Sequence, residues 1–239
     1  MSMHMPSILS VLSTGDIAAL IWLFAAWIGI GYLTEHPPKN HPSVTVLMVN
    51  YRHEWMRQFI TRQPRIFDSA ILQTLREGPT FFASACLIAI GGGMALVGNP
   101  ERLSQVAGEL ELGGVPTVLW QVKVITALFF VANALLKFIW SHRLFGYCAV
   151  MMASVPNDPA DPLATIRAHQ AAEINVTAAK SYNMGLRNIY FSLAALGWLV
   201  GPWGLFVTTC FVLGLTWRRE FASHSRQIML QDLPKIGKI

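Results

Sequence analysis

Long apolar runs, separated by proline-rich or charged stretches, are the first pattern along this chain. Residues 17–33 carry no charged side chain: the run begins after Asp16 and stops before Glu35 and Pro37-Pro38. Gly78-Pro79 opens a second uncharged stretch over 79–98. A helix of about 20 residues covers ~30 Å, the thickness of bilayer hydrocarbon, so both runs read as crossings. A third covers 117–140, where Trp120 and Trp140 suit the two interfaces and Lys123 and Lys137 each stand about one turn inside.

The last apolar stretch, 188–217, is too long for one comfortable crossing, and its middle decides the matter. Gly201-Pro202-Trp203-Gly204 joins turn formers to an interfacial aromatic, with Trp198 just before, which predicts a hairpin at the membrane surface. Two helices follow, over 182–200 and 202–220. Between the crossings, Tyr51, Trp55, Met56, Phe59 and Ile60 repeat at helical spacing, flanked by Arg52, Arg57 and Arg62. That amphipathic helix is expected to lie on the inner leaflet. A short helix over 66–77 is expected before the Gly-Pro break, and an interfacial turn over 144–152. Asp161-Pro162 reads as a helix start.

Of the 18 Lys and Arg residues, all but Lys123 and Lys137 then set the orientation. The segment before the first crossing has none; the first loop has six (Lys39, Arg52, Arg57, Arg62, Arg65, Arg76) and the second only Arg102. The third has four (Arg143, Arg167, Lys180, Arg187), the hairpin none and the tail five (Arg218, Arg219, Arg226, Lys235, Lys238). With five crossings, basic and neutral segments alternate, as the positive-inside rule asks. The expected fold is an all-α polytopic bundle forming one membrane domain over 1–239. It has five transmembrane helices (15–33, 79–98, 117–140, 182–200, 202–220), the N-terminus outside, and cytoplasmic loops 34–78 and 141–181 with a cytoplasmic tail 221–239.

Composition agrees: 53% of residues are hydrophobic and 13% charged, the balance of a bilayer-spanning chain. The net charge of +5 is spread between crossings, so it speaks for anionic inner-leaflet lipid and not for nucleic acid. Cys86, Cys148 and Cys210 have neither disulfide nor zinc spacing, and His36 and His41 lack a nearby third ligand. No metal and no cofactor is expected. No phosphate loop, nucleophile elbow or dinucleotide fingerprint points to an enzyme.

An ionisable group at mid-bilayer would mark a site, and the central turns of the five expected crossings hold no Asp, Glu, His or Arg. Lys123 and Lys137 either snorkel outward or, with Asn133 one turn from Lys137, line a passage for anions. Gly29, Ala85, Ala89, Gly93, Gly197 and Gly201 predict close helix contacts, within one chain or between copies. The inner ends gather Asp68, Arg76 and Glu77, then Lys137, His142 and Arg143, then Lys180, Asn183 and Arg187. That constellation is either an ion-pair or lipid-headgroup network, or the mouth for an anionic solute, with Asp68, Lys137, His142, Arg143, Asn183 and Arg187 as its polar residues.

The segments Arg65-Ile66-Phe67-Asp68, Gly78-Pro79-Thr80-Phe81-Phe82-Ala83-Ser84 and Trp140-Ser141-His142-Arg143-Leu144 carry a resemblance when read together with Asn183-Met184-Gly185-Leu186-Arg187-Asn188 and Arg218-Arg219-Glu220-Phe221. The chain resembles the membrane proteins of domain of unknown function 599, found in bacteria and plants, from the first crossing to Phe221. The resemblance implies membrane embedding and supplies no catalytic residue. Two readings follow. One is an oligomeric channel or transporter for a small anionic solute in a bacterial inner membrane. The other is a non-enzymatic scaffold or accessory subunit that binds lipid or a membrane-protein partner.

Overall fold

A computed structural model describes residues 12–99 and 116–231, and these are helical with no strand among them. Arg102, Lys235 and Lys238 of the charge pattern lie outside the described residues. The helices are α1 (Thr14–Glu35), α2 (Val44–Phe59), α3 (Ile66–Val97), α4 (Thr117–Ala153), α5 (Pro162–Leu196), α6 (Pro202–Phe221) and α7 (His224–Gln231). Three of them, α1, α3 and α4, are long and apolar enough to cross a membrane.

Local chemistry explains where these helices begin. Ser13 caps α1 in a capping box with Asp16, Ser43 caps α2, and Asp161 caps α5 with Pro162 behind it. Between α5 and α6 the chain tightens into a 3-10 turn (Gly197–Val200) and reverses at Gly201, whose φ of 124° favours glycine. The two helices then close on each other: Thr208 Oγ1 donates to Ala194 O at 2.7 Å, and a Cβ on Gly197 would run into Thr208 and Gly204.

The expected breaks at 78–79 and after 140 are absent, and each pair of pieces is a single helix. Pro79 removes one backbone donor, but α3 continues through it, as membrane helices commonly do. At ~1.5 Å per residue, α4 with 37 residues and α5 with 35 are each more than 50 Å long, well beyond ~30 Å of hydrocarbon. Their surplus length forms a hairpin projecting from one end of the bundle.

Three apolar clusters follow from this. One joins α1, α4, α5 and α6 through Leu23, Ile30, Phe130, Phe191, Trp198 and Leu205. A middle one sets Cys86 of α3 against Ala134 and Phe138 of α4. The third fills the projecting hairpin, where Met56 and Phe59 of α2 meet Leu144, Cys148 and Met152 of α4 and the alanines 164, 168, 171 and 172 of α5.

That third cluster corrects the reading of the amphipathic segment. The helix runs Val44–Phe59, and its stripe faces protein, with Met56 and Phe59 buried, Trp55 and Ile60 half-buried and only Tyr51 exposed. Short alanine side chains on α5 let α2 approach and take the place expected of the leaflet. The small-residue expectation also divides. A Cβ on Gly93 would meet Leu128 at 2.6 Å, so that position is a close helix contact, as is Gly197. Gly29, Ala85 and Ala89 are exposed and make no such contact within the chain.

Candidate anion-binding cleft

The two ends of the bundle differ in chemistry. At one end lie the starts of α1, α4 and α6. Asp16 is buried and accepts from Trp198 Nε1 at 2.6 Å and from Ser13 Oγ at 2.7 Å. Lys123, 5% exposed, puts its Nζ 5.0 Å from the Trp120 ring centre and within electrostatic reach of Asp16. Lys123 therefore neither snorkels outward nor lines a passage, which corrects both sequence readings. It lies near the Asp16 carboxylate beside the hairpin turn without forming a salt bridge to it.

The opposite end holds a cleft of about 450 Å3 between α2, α5 and the end of α6. Arg52, Lys180 and Arg219 supply its cations, Glu220 its carboxylate, and Thr45, Asn183, Ser223 and Ser225 its neutral polar groups. Glu220 is already engaged: Thr45 donates to it from its backbone N at 3.1 Å and from Oγ1 at 3.0 Å. Among the described residues, none of the three cations forms a salt bridge. Arg52 instead donates to Asn175, which is fully buried, and Arg219 to the Tyr190 hydroxyl. Burial pulls the Arg52 guanidinium below its usual pKa, with Cys148 opposing the shift, and so high a starting value leaves it charged at neutral pH. Three cations thus face one carboxylate that already has partners.

A smaller recess of about 70 Å3 continues the cleft towards the bundle, sharing Asn183, Arg219 and Glu220 and adding Thr34, Arg187, Tyr190 and Thr216. There Arg187 donates to Glu35 at 3.0 Å, and both are largely buried. One helical turn from Thr34, Arg187 and Thr216 of the recess stand Ile30, Phe191 and Val212 of the apolar cluster.

The inner-end constellation expected from sequence does not converge on this cleft. Asn183, Lys180 and Arg187 are in it or its recess. Asp68 is fully buried at the α2–α3 corner, accepting from Trp55 Nε1 at 2.7 Å and from Arg62. His142 pairs with Thr80 at 3.0 Å in the α3–α4 groove beside Arg76 and Glu77. Arg143 stands exposed, bonded to Tyr147 of its own helix, and Lys137 is half-buried on α4 outside the cleft lining. The reason is angular. At about 100° per residue, positions 137, 142 and 143 point in different directions from one helix. Asn133, offered as a passage or packing residue, spends its amide on Phe129 O of its own helix at 3.0 Å. His36 stacks on Tyr32 and His41 on Phe221, so these two rings are committed to different aromatics.

Sequence reasoning missed Thr45 and Glu220 as partners because 175 positions separate them. Neither Arg52, read as a loop charge flanking an apolar stripe, nor Arg219, read as a tail charge within a family motif, was expected in a site. The buried Asp16–Trp198 contact, spanning 182 positions, left no local trace either.

Three helices long and apolar enough to cross a membrane, with a basic cleft at one end, give an all-helical fold among the described residues that is compatible with a membrane protein. More particularly, this chain belongs to the DUF599 family of proteins of unknown function, whose family model matches residues 18–225. No curated protein matches the chain, and no solved structure does.

Proposed function

We propose that this chain is a multi-pass inner-membrane protein of five crossings whose cytoplasmic cleft takes a small multivalent anion, as the inner vestibule of a transporter. The observation that carries this reading is the set of three cations, Arg52, Lys180 and Arg219, lining one cleft without a salt-bridge partner among the described residues. The volume of about 450 Å3 lies in the range of small-molecule sites, ~300–1,000 Å3. It suits a di- or tricarboxylate or a phosphomonoester better than a monovalent ion.

Two features support five crossings. Gly201 reverses the chain between α5 and α6, and the starts of α1, α4 and α6 gather at one end while the ends of α1 and α6 meet Arg187 and Thr45 at the other. The Lys and Arg distribution supports a cytoplasmic location for the cleft. The apolar cluster that includes Ile30, Phe130 and Phe191 supports the reading of an inward-facing vestibule closed on its outer side, from which flux requires the helices to rearrange.

The test is calorimetric titration of the full chain in nanodiscs with citrate and with inorganic phosphate. Saturable binding that Arg52→Gln combined with Arg219→Gln weakens at least tenfold, with falling affinity at high salt, is the expected result. Absence of binding of either anion would overturn the reading. Counterflow of labelled anion in proteoliposomes then separates a carrier from a receptor that only binds.

One observation favours the scaffold or accessory-subunit reading as the second. Helix α3 packs chiefly along α4 and leaves Phe81, Leu87, Ile88 and Met94 exposed, with open space at Gly91 and Gly92. A partner helix or a second copy fits such a face, as does lipid. Crosslinking from a cysteine at Ile88 to another chain would favour it over transport by a single protomer.

A further inference from the structure

One turn along from the Arg52 contact, three metal-ligating side chains from two helices converge. His169 and Glu173 are one turn apart on α5, hence on one face, and His53 reaches them from α2. His53 Nε2 lies 2.7 Å from Glu173 Oε1, and His169 Nε2 lies 3.9 Å from the same oxygen. The three ligand atoms all lie within 4.8 Å of one another. The geometry points to a divalent transition-metal site, with zinc as the fitting ion, that ties α2 to α5.

The donor set is the first argument. Two imidazoles and a carboxylate make a familiar three-ligand zinc set, which leaves a fourth position for water or an incoming ligand. Zinc–nitrogen and zinc–oxygen bonds of about 2.0–2.2 Å in a tetrahedron place ligand atoms ~3.4 Å apart. One separation here is shorter than that, another is longer, and none exceeds 4.8 Å, so shifts of about 1 Å bring the three atoms into range. The side chains of His169 and Glu173 are 66% and 55% exposed and free to make them.

Orientation is the second argument. His53 Nδ1 lies 2.9 Å from Val49 O of its own helix, which holds the ring with Nε2 directed at Glu173. A ligating histidine is commonly fixed in this way by a backbone carbonyl on its other nitrogen. The short Nε2–Oε1 contact sets an imidazole nitrogen and a carboxylate oxygen face to face, the pair that a bound metal ion would bridge. A simple surface ion pair needs two groups, whereas here a second imidazole, its ring 5.6 Å from the first, is drawn to the same carboxylate oxygen.

Position gives the site its consequence. Arg52 precedes His53, and Asn175, which receives the Arg52 bond, lies two residues beyond Glu173. Metal at this point fastens α2 to α5, two walls of the cleft, without using the residues that line it. The inference stands independently of what the cleft takes.

The experiment uses the tag-free full chain in nanodiscs, stripped with EDTA and titrated with Zn2+ by calorimetry, with retained metal counted by mass spectrometry. One zinc per chain is expected, together with a zinc-dependent rise in Tm. His169→Ala and Glu173→Gln should each weaken binding at least tenfold and abolish the Tm rise. Both positions are exposed, so circular dichroism should match the parent protein. Co2+ in place of zinc should give visible absorption of tetrahedral strength that His169→Ala removes. A parent protein that retains no more zinc than His169→Ala, or variants that titrate like the parent, would overturn the site.

Discussion

At the scale of single residues, the buried charges are the most exposed to test. Asp16 and Lys123 are each 5% exposed, and Asp16 also holds the Trp198 indole at the hairpin turn. Removing the Asp16 charge weakens the Trp198 bond and leaves Lys123 without that nearby carboxylate, at a cost of about 1–3 kcal/mol. Asp16→Asn should therefore lower Tm by several degrees, and Asp16→Asn with Lys123→Met should recover part of the loss. A double variant less stable than the sum of the singles would show that the two charges do not compensate each other. On the outer face of α2 the contrast is plain. Glu54 accepts from Arg57 and Gln58, and these contacts lower its pKa to about 2. A lowered carboxylate contributes its stability above the unfolded value, near 4.5, and loses it as pH falls towards 2. Because Glu54 is fully exposed, screening leaves Glu54→Gln with little effect on Tm at pH 7.

At the scale of helices, the turn and the docking of α2 carry the predictions. Gly201 sits at φ 124°, a conformation that L side chains adopt only under strain, while Gly29 lies inside α1 with open space around it. Gly201→Ala should destabilise the protein by about 1 kcal/mol or more, and Gly29→Ala should leave it unchanged or raise stability by about 0.5–1 kcal/mol. Thermal melts of the two variants in one detergent give the comparison directly; equal losses would contradict the assigned turn. Trp55 donates to buried Asp68 and rests on protein, while Trp203 is 79% exposed at the start of α6. Brominated lipid should thus quench a single tryptophan at 203 and spare one at 55. Quenching at 55 would return α2 to the leaflet.

These elements also show what the sequence could tell. The reversal at Gly201-Pro202 was legible because turn chemistry is local, and the start of α5 was legible because Asp161-Pro162 is a local signal. The stripe of α2 was legible too, but a period of apolar residues does not state whether lipid or an alanine-rich helix covers it. Gly78-Pro79 misled because a proline's lost hydrogen bond need not end a helix already held by its neighbours; a Cβ on Gly78 would lie 3.1 Å from the Tyr182 hydroxyl. Of the cleft, Asn183, Lys180 and Arg187 could be read from one helix. Thr45, Arg52 and Glu220 could not, since only the packing of α2 between α5 and α6 brings them together.

At the scale of the whole molecule, the bundle has two unlike ends. One is sealed by the Asp16–Trp198–Lys123 cluster and the hairpin turn, and the other opens into a cationic cleft flanked by a projecting helical hairpin. Between them runs an aromatic core whose exposed counterparts, among them Ile21, Ile28, Leu136, Val207 and Phe211, suit a lipid surface. Both the vestibule and its orientation depend on α5 and α6 each crossing the bilayer. The most direct measurement is labelling with a membrane-impermeant maleimide in a Cys210→Ser background, with single cysteines at Gly204 and at Ser225. In intact cells the cysteine at 204 should react from the periplasm, and the one at 225, lining the cleft, should react only after the membrane is permeabilised. Labelling of both from the same side would contradict this arrangement.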